Sequence, residues 1–224
     1  MSAVLSPRQL AAEVHRRLLD RYDVAVWHWQ EDTPALSICL GAILVQHTAW
    51  TNVEKALANL EGISIEQIAA LSEDELAAQI RPAGMPLTKA RRLQAFAGLV
   101  LAHGGFEALW RLPQVELRAE LLATNGIGPE TADAILLYAA RLPVVVHDAY
   151  TARLFRRLGA GPQRDSYPAW RQWLDESLPD DAAYRRADHA AIVLHCKTTC
   201  RPRPHCAACP LLDLCDFGQS RSSG

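Results

Sequence analysis

Apolar residues recur at helical spacing along most of the chain. In residues 7–22 they fall at Leu10, Val14, Leu18 and Leu19, the three-to-four-residue period of one helix face. The same pattern predicts further helices, which are separated by short polar, glycine-containing or proline-containing segments. Their predicted ranges are two helices within 34–60 with a break near 46–51, then 64–71, 72–80, 89–103, 106–110, 114–123, 129–139, 149–158, 167–178 and 180–194.

Three stretches interrupt this pattern and are predicted to be irregular. Residues 24–34 hold Trp27 and Trp29 without helical spacing. Residues 81–89, RPAGMPLTK, are broken by two prolines and a glycine, which favour a loop. Residues 195–224 show no periodicity and end in a polar tail, for which we expect disorder. Since no segment reads convincingly as a strand, we predict an all-α fold of roughly ten short helices.

Composition agrees with a helical protein that has a sizeable core. Half of the 224 residues are apolar, and alanine and leucine favour helices. No apolar run approaches the roughly 18 residues that cross a bilayer, and the charged N-terminus lacks a signal-peptide core. We therefore expect a cytoplasmic protein without a membrane partner. The formal net charge is -2, whereas strong nucleic-acid binders are usually basic, so only local positive charge favours nucleic acid.

A glycine-rich turn joins the helices predicted at 114–123 and 129–139. Gly126 and Gly128 flank Ile127 in the sequence TNGIGPE, and glycine adopts backbone angles that other residues avoid. A proline then opens the second helix, where no amide donor is missed. The free amides at such a helix start can bind an anion, for example a DNA phosphate. On the glycines alone, an ordinary turn between two helices is the better interpretation.

Asp148 follows the apolar run VVVH and precedes the helix predicted at 149–158. An aspartate at that place commonly caps the helix N-terminus. Two features favour a chemical role instead. The acid lies close in sequence to the glycine turn, and the apolar run before it should carry the chain through the interior. The carboxylate is then expected to emerge at a cleft.

The stretch from Leu121 to Phe155, LLATNGIGPETADAILLYAARLPVVVHDAYTARLF, resembles the helix-hairpin-helix and aspartate signature of the endonuclease III superfamily of DNA glycosylases. The glycine turn, the following TA pair and the acid all fall in register. The resemblance implies two helical lobes. One comprises residues 28–138 and ends in the hairpin at 114–139, and the other comprises residues 1–27 and 139–224. It also implies a monomer, with double-stranded DNA containing a damaged base across the cleft between the lobes.

In that family the acid supports removal of a base, and we carry the role over to Asp148. The N-glycosidic bond breaks through an oxocarbenium-like sugar. A carboxylate near C1′ stabilises the charge and can orient or deprotonate water, with a charge logic like that of glycoside hydrolases. Bifunctional members have a lysine where this chain has Glu130. Glutamate cannot form the Schiff base that precedes strand cleavage. Any lyase activity would need Lys55, Lys89, Lys197 or the N-terminal amine.

Two further segments resemble family loops that act on a flipped nucleotide. ILVQHTAW places Gln46 at the position of a glutamine that enters the vacated space, and AGMPLTKA places Met85 at the position of an apolar wedge. The alternatives are a polar loop residue for Gln46 and a core residue for Met85. The resemblance further suggests His47, Trp50 and Glu130 as lining of the base pocket. Arg153 and Lys197 are candidate phosphate contacts.

Four cysteines near the C-terminus have metal-ligand spacing. The pattern is Cys200-x5-Cys206-x2-Cys209-x5-Cys215, and Cys196 is a spare. In a cytosolic protein such a group favours metal over disulfides. Spacing alone allows zinc or a [4Fe-4S] cluster. The resemblance, including the proline after Cys209, favours a [4Fe-4S] cluster held by the loop 200–215.

These features together predict a base-excision-repair DNA N-glycosylase. It would hydrolyse the N-glycosidic bond of a flipped damaged base, either an oxidised pyrimidine or an alkylpurine, without efficient AP-lyase activity. We expect it in the cytoplasm, associated with the nucleoid if the source is bacterial. The alternatives are a non-catalytic protein that binds DNA structures on the same scaffold and a small iron–sulfur electron carrier.

Overall fold

The computed structural model describes residues 5–222, and the regular structure in that range is helical without strands. The all-α prediction is therefore confirmed. The α-helices are α1 (Pro7–Arg21), α2 (Ala35–Leu44), α3 (Trp50–Asn59), α4 (Ile65–Ala70), α5 (Glu73–Gln79), α6 (Pro86–Ala102), α7 (Phe106–Trp110), α8 (Gln114–Ala123), α9 (Pro129–Tyr138), α10 (Ala149–Arg157), α11 (Tyr167–Asp175), α12 (Ala182–Thr198) and α13 (Asp216–Ser222). Four 3-10 turns connect them at Val24–Val26, Arg81–Ala83, Cys206–Ala208 and Leu212–Leu214.

Helix starts follow the sequence signals closely. Ser72 forms the expected capping box, because its hydroxyl accepts from the Glu75 amide while Glu75 accepts from the Ser72 amide at 2.9 Å. Ser64 caps α4 in the same way through Gln67. Prolines open α6 and α9, where the lost amide donor has no cost.

Two predicted boundaries are wrong. Helix α6 begins at Pro86 rather than at residue 89, because a proline suits the first helical turn even within a loop-like sequence. Residues 195–224 were expected to be irregular, yet α12 continues to Thr198 and α13 begins at Asp216. Short cysteine-bounded segments carry too few residues for a helical period to show. Residues 223 and 224 of the predicted tail lie outside the described range.

The first of two compact units, the hairpin lobe, is Glu31–Leu142. The sequence placed this lobe at 28–138. Helices α2 and α9 pack against each other, and most of their residues are buried. Helix α6 packs on α4 and α5. Helices α8 and α9 form the helix-hairpin-helix, and Arg118 on α8 ion-pairs with the fully buried Asp133 on α9 at 2.7 Å.

The second unit, the cysteine lobe, contains the described residues up to Gln30 and those from Pro143 onward. Helix α12 runs through it and packs against α1 and α10. The core comprises aliphatic and aromatic side chains of α1, α10, α11 and α12, among them Leu18, Phe155, Trp170 and Ile192. Within residues 5–222, no helix is both long and apolar enough to cross a bilayer.

Candidate active site

Asp148 is the N-cap of α10 and is 8 % exposed. Its Oδ1 accepts from the Thr151 amide and from the Thr151 hydroxyl, both at 2.8 Å. The helix-cap interpretation of this aspartate is therefore confirmed. The second oxygen, Oδ2, takes no part in the cap and lies 3.6 Å from Nε2 of His189 on α12. One carboxylate can thus cap the helix with one oxygen and serve chemistry with the other.

The surroundings of Asp148 favour its charged form. Burial alone would raise the pKa, but His189 and the Thr151 donors outweigh burial, so the pKa lies below its ordinary value of 3.8. Asp148 is therefore a buried, ionised carboxylate at neutral pH. A negative charge held in a region poor in water is suited to stabilising a positive charge placed beside it.

An aromatic cluster of Trp27, His28 and Trp29 contacts His189 in the same lobe through Trp27. The Trp27 ring meets the His189 ring edge to face, with centroids 6.0 Å apart, and His28 lies 4.0 Å from Trp27. Trp29 contacts both Trp27 and His28. Burial, with the charges of Lys197 and His189, lowers the pKa of His28 to about 3, so this imidazole is neutral at physiological pH.

Sequence reasoning missed this cluster and treated residues 24–34 only as a loop. A signal was present, because the run WHW at 27–29 puts three aromatic rings outside any helical period. Rings that a helix does not need for its core are candidates for stacking. His189 gave no comparable signal, since it lies inside the regular pattern of α12.

The glycine turn between α8 and α9 has the expected backbone. Gly126 has φ +83°, in the region that favours glycine, whereas Gly128 is extended. Ile127 is 4 % exposed, so its side chain belongs to the core and only its backbone can meet a ligand. Pro129 and the exposed Glu130 form the first turn of α9, whose N-cap Gly128 has no side chain to cap it. The first amides of a helix have no acceptor within the helix itself, so a helix start without a side-chain cap is suited to an anion.

Gln46 lies against this turn rather than in open solvent. Its Nε2 donates to the Gly126 carbonyl and to the Thr131 hydroxyl, both at 3.1 Å, and its Oε1 accepts from Arg92. His47 beside it is exposed and has φ +57°. Trp50 opens α3 and donates to Glu54 on its own helix at 3.0 Å.

Met85 occupies the tip of a turn before α6. It has φ +48° and is 45 % exposed, so it is not the core residue that was the alternative interpretation. Leu87, two residues on, is also 45 % exposed. A non-glycine residue in the left-handed region is uncommon and marks a constrained site. This part of the hairpin lobe therefore presents apolar side chains outward.

The two candidate phosphate contacts differ in their surroundings. Arg153 donates to the carbonyls of Cys200 at 3.0 Å and Cys196 at 3.1 Å, so its guanidinium ties α10 to the end of α12. Lys197 is exposed, and its Nζ lies 5.9 Å from the centre of the Trp27 ring. Lys197 remains the better-placed candidate for a solvent-facing anion.

The four cysteines at 200, 206, 209 and 215 line one cavity together with Leu154, Leu158, His195 and Phe217. Arg157 donates to the Cys200 sulfur at 3.2 Å, and the Gly218 amide donates to the Cys215 sulfur at 3.4 Å. The hydrogen bond from Cys196 lowers the pKa of Cys200 to about 4, although burial opposes this, and His195 and Arg157 contribute. Burial raises the pKa of Cys209 to about 11. Within residues 5–222, no three His, Cys, Asp or Glu residues form a group that could hold a metal ion.

A known family matches the stretch that contains this geometry. Residues 40–180, which include the glycine turn and Asp148, match the family described as HhH-GPD superfamily base excision DNA repair protein. The chain belongs to that superfamily. A candidate DNA repair glycosylase of Methanocaldococcus jannaschii is 38 % identical over 213 residues, which cover 92 % of this chain and 96 % of that protein. The expected membership of the endonuclease III-like glycosylases is confirmed.

Solved structures of DNA repair proteins share the fold. The 3-methyladenine DNA glycosylase of Helicobacter pylori, bound to 1,N6-ethenoadenine, is 28 % identical with a TM-score of 0.69, over 84 % of this chain and 97 % of that one. A non-covalent endonuclease III–DNA complex superimposes with a TM-score of 0.80 over 99 % of this chain and 100 % of that one, at 21 % identity. The chain is thus a base excision repair DNA glycosylase of this superfamily.

Proposed function

We propose that the chain is a monofunctional DNA N-glycosylase in which Asp148 stabilises the oxocarbenium-like sugar as the base leaves. The main supporting observation is that the two oxygens of the Asp148 carboxylate have different surroundings. Its Oδ1 is held by Thr151 at 2.8 Å, while Oδ2 stays outside the cap and the group remains ionised although buried. A fixed negative charge beside C1′ would be complementary to the charge that develops there. Oδ2 could also orient the attacking water or take its proton.

An alkylated purine is the substrate class that we favour over an oxidised pyrimidine. A base removed from the stack is read by stacking between aromatic side chains. Trp27 contacts His189, the histidine beside Asp148, and His28 and Trp29 pack on Trp27. The H. pylori relative acts on 3-methyladenine according to its name. An exposed Glu130 at the start of α9 would also suit a cationic base, in keeping with its proposed place in the pocket alongside His47 and Trp50.

The glycosylase should release a base without cutting the strand, because Glu130 cannot form a Schiff base. Oligonucleotides bearing 3-methyladenine, 1,N6-ethenoadenine, oxidised pyrimidines or mismatches are incubated with the protein, and each is analysed with and without alkali. We expect free base from at least one lesion, strand breaks only after alkali, and no adduct on borohydride reduction. A protein that binds these duplexes but releases no base from any of them would instead fit the non-catalytic alternative.

We assign duplex binding to the backbone of the hairpin. The α9 amides after Gly128 would hold a phosphate, which positions DNA without reading its sequence. Gln46 and Met85 would fill the gap left by the flipped nucleotide, and Lys197 would add a charge contact. Arg153 would act indirectly, because it is already bonded to two carbonyls.

Changing Gly126 to Ala is expected to lower affinity for undamaged duplex by about tenfold. Alanine is strained at φ +83°, and its added carbon would collide with the Arg92 side chain, so the turn or the Arg92 side chain must shift. Gly104→Ala is the matched control, since Gly104 has φ +80° with open space around the added carbon. Fluorescence anisotropy with a labelled duplex measures both. Equal losses in the two variants would mean that strain in general, and not the hairpin turn, causes the effect.

The protein's own residues fit a [4Fe-4S] cluster at 200–215. Four thiol donors, at Cys200, Cys206, Cys209 and Cys215, line one cavity. Together they would supply the four thiolate ligands that such a cluster needs. The Arg157 and Gly218 hydrogen bonds to two of these sulfurs are the kind of contacts that stabilise thiolate ligands. The cluster would hold this loop in shape, and base release would rest on Asp148.

The rate of base release should stay level as pH falls towards 3.8, the ordinary pKa of aspartate, because the pKa of Asp148 lies below that value. His189→Asn removes the largest influence that lowers this pKa and leaves burial, which raises it. The acid limb of the single-turnover pH–rate profile should therefore move to higher pH. His103→Asn, in the hairpin lobe, is the control and should leave the limb in place. If the acid limb of the pH–rate profile stayed in place in His189→Asn, His189 would not be the group that lowers the pKa of Asp148.

A further inference from the structure

Lys89 is a fully buried lysine near the start of α6. Its Nζ donates to the Leu44 carbonyl at 2.8 Å and to the Ala83 carbonyl at 2.7 Å. Burial, together with the charge of Arg92, lowers the pKa of Lys89. An enclosed amine that bonds two carbonyls is not available to attack a sugar. The possibility that Lys89 supplies a lyase amine is therefore not supported by the structure.

The two carbonyls belong to the ends of two different elements. Leu44 is the last residue of α2, and the loop that carries Gln46 follows it. Ala83 is the last residue of a 3-10 turn, and Met85 follows two residues later. One ammonium group therefore holds the bases of both loops that are proposed to enter the DNA. Buried hydrogen bonds to a charged donor are among the stronger ones in proteins.

Both loops carry a strained residue that needs such support. His47 has φ +57° and Met85 has φ +48°, although neither is glycine. Such conformations are energetically costly for residues other than glycine and persist only when the surroundings impose them. In each loop the strained residue is exposed and lies close in sequence to the carbonyl that Lys89 binds.

Arg92 lies one turn further along α6 and extends this arrangement. It donates to the Gln46 side-chain oxygen, and its aliphatic part lies against Gly126 in the hairpin turn. Lys89 and Arg92 together therefore contact the Gln46 loop, the Met85 turn and the proposed phosphate-binding hairpin, all within the hairpin lobe.

We propose that Lys89 and Arg92 are positioning residues that join these three segments, so that Met85 and Gln46 enter the duplex as one preformed unit when the hairpin grips the backbone. The proposal rests on the proposed function, because it assigns a role within DNA binding by a base-flipping protein. Preformed loops avoid the ordering cost that flexible loops would incur at each encounter.

The test uses a duplex with a tetrahydrofuran abasic analogue opposite 2-aminopurine, whose fluorescence rises when an inserted side chain unstacks it. Lys89→Met keeps the aliphatic stem and removes the ammonium group. In the full chain with Lys89→Met, we expect the fluorescence rise to be about tenfold smaller than in wild type. Anisotropy should show little change in the affinity of this variant for undamaged duplex. Arg92→Met should show a smaller loss. Arg91→Met is the control, because Arg91 is exposed on the same helix and pairs with Glu73, and it should keep the wild-type rise.

A double-mutant comparison separates positioning from general loss of structure. Met85→Ala should lower the fluorescence rise in wild type but should add nothing in the Lys89→Met background, because the wedge is already displaced there. Equal effects of Met85→Ala in both backgrounds would overturn the proposal, as would a wild-type rise in both Lys89→Met and Arg92→Met. If Lys89→Met does not fold, Arg92→Met carries the same comparison. The analogue has no base to release, so a wild-type rise without base release from any lesion would refute only the glycosylase activity.

Discussion

Asp148→Asn is expected to lower the single-turnover rate of base release by about 10³-fold while leaving affinity for undamaged duplex unchanged. Asparagine keeps an oxygen that can accept from the Thr151 amide, so α10 stays capped and the fold survives. What it removes is the negative charge on Oδ2, the oxygen outside the cap. Liquid chromatography of the released base, with the lesion that wild type excises fastest, gives the rate.

A matched control exists on another helix of the same lobe. Asp181 caps α12 and accepts from the Tyr184 amide at 2.6 Å. Asp181→Asn makes the same chemical change at a helix start that has no proposed chemistry, and it should release base at the wild-type rate. If Asp148→Asn kept the wild-type rate as well, the aspartate would be a helix cap and nothing more.

Cys209→Ser is expected to remove most of the iron from the protein and to destabilise the cysteine lobe strongly. Small structural metal sites supply on the order of 10 kcal/mol of binding free energy to folding, and the loss of one thiolate from four should forfeit much of it. Iron analysis, visible absorption and thermal unfolding followed by circular dichroism measure the effect. Zinc in place of iron in the wild-type protein would contradict the cluster assignment and support the alternative that the cysteine spacing left open.

Cys196→Ser is the control for this substitution. Cys196 is buried in the same lobe and its sulfur donates to the Tyr150 carbonyl at 3.5 Å, but it is not among the residues that line the cysteine cavity. It should retain iron and visible absorption, because all four proposed ligands, Cys200, Cys206, Cys209 and Cys215, remain. If Cys196→Ser lost its iron and Cys200→Ser kept it, the first cluster ligand would be Cys196 and not Cys200.

The helices were predictable because a helix buries one face and therefore repeats its apolar residues. That period located α1, α8, α9 and α10 to within a residue or so at each end. It failed where the elements are short. Helix α13 and the 3-10 turns among the cysteines have too few residues for a period, and their shape depends on packing around the cysteine cavity.

The candidate site was predictable in its local parts and not in its long-range ones. Asp148, the glycine turn and the exposed Met85 each carry a signal in adjacent residues. The contact of Asp148 with His189 joins residues far apart in sequence, and the contact of Gln46 with Gly126 does the same. Such contacts depend on how the helices pack against one another, and the local pattern of a single sequence does not predict that packing. The same reason hid the role of Lys89, whose partners lie on two other segments.

Discrimination between a cationic and a neutral sugar mimic tests the central claim most directly. One duplex carries a pyrrolidine abasic analogue, which is protonated and resembles the charged sugar, and the other carries neutral tetrahydrofuran at the same place. Wild type should bind the cationic duplex at least about 100-fold more tightly, as transition-state analogues do, and Asp148→Asn should lose this preference. Equal affinity of wild type for the two duplexes would contradict the claim that Asp148 stabilises a positive sugar.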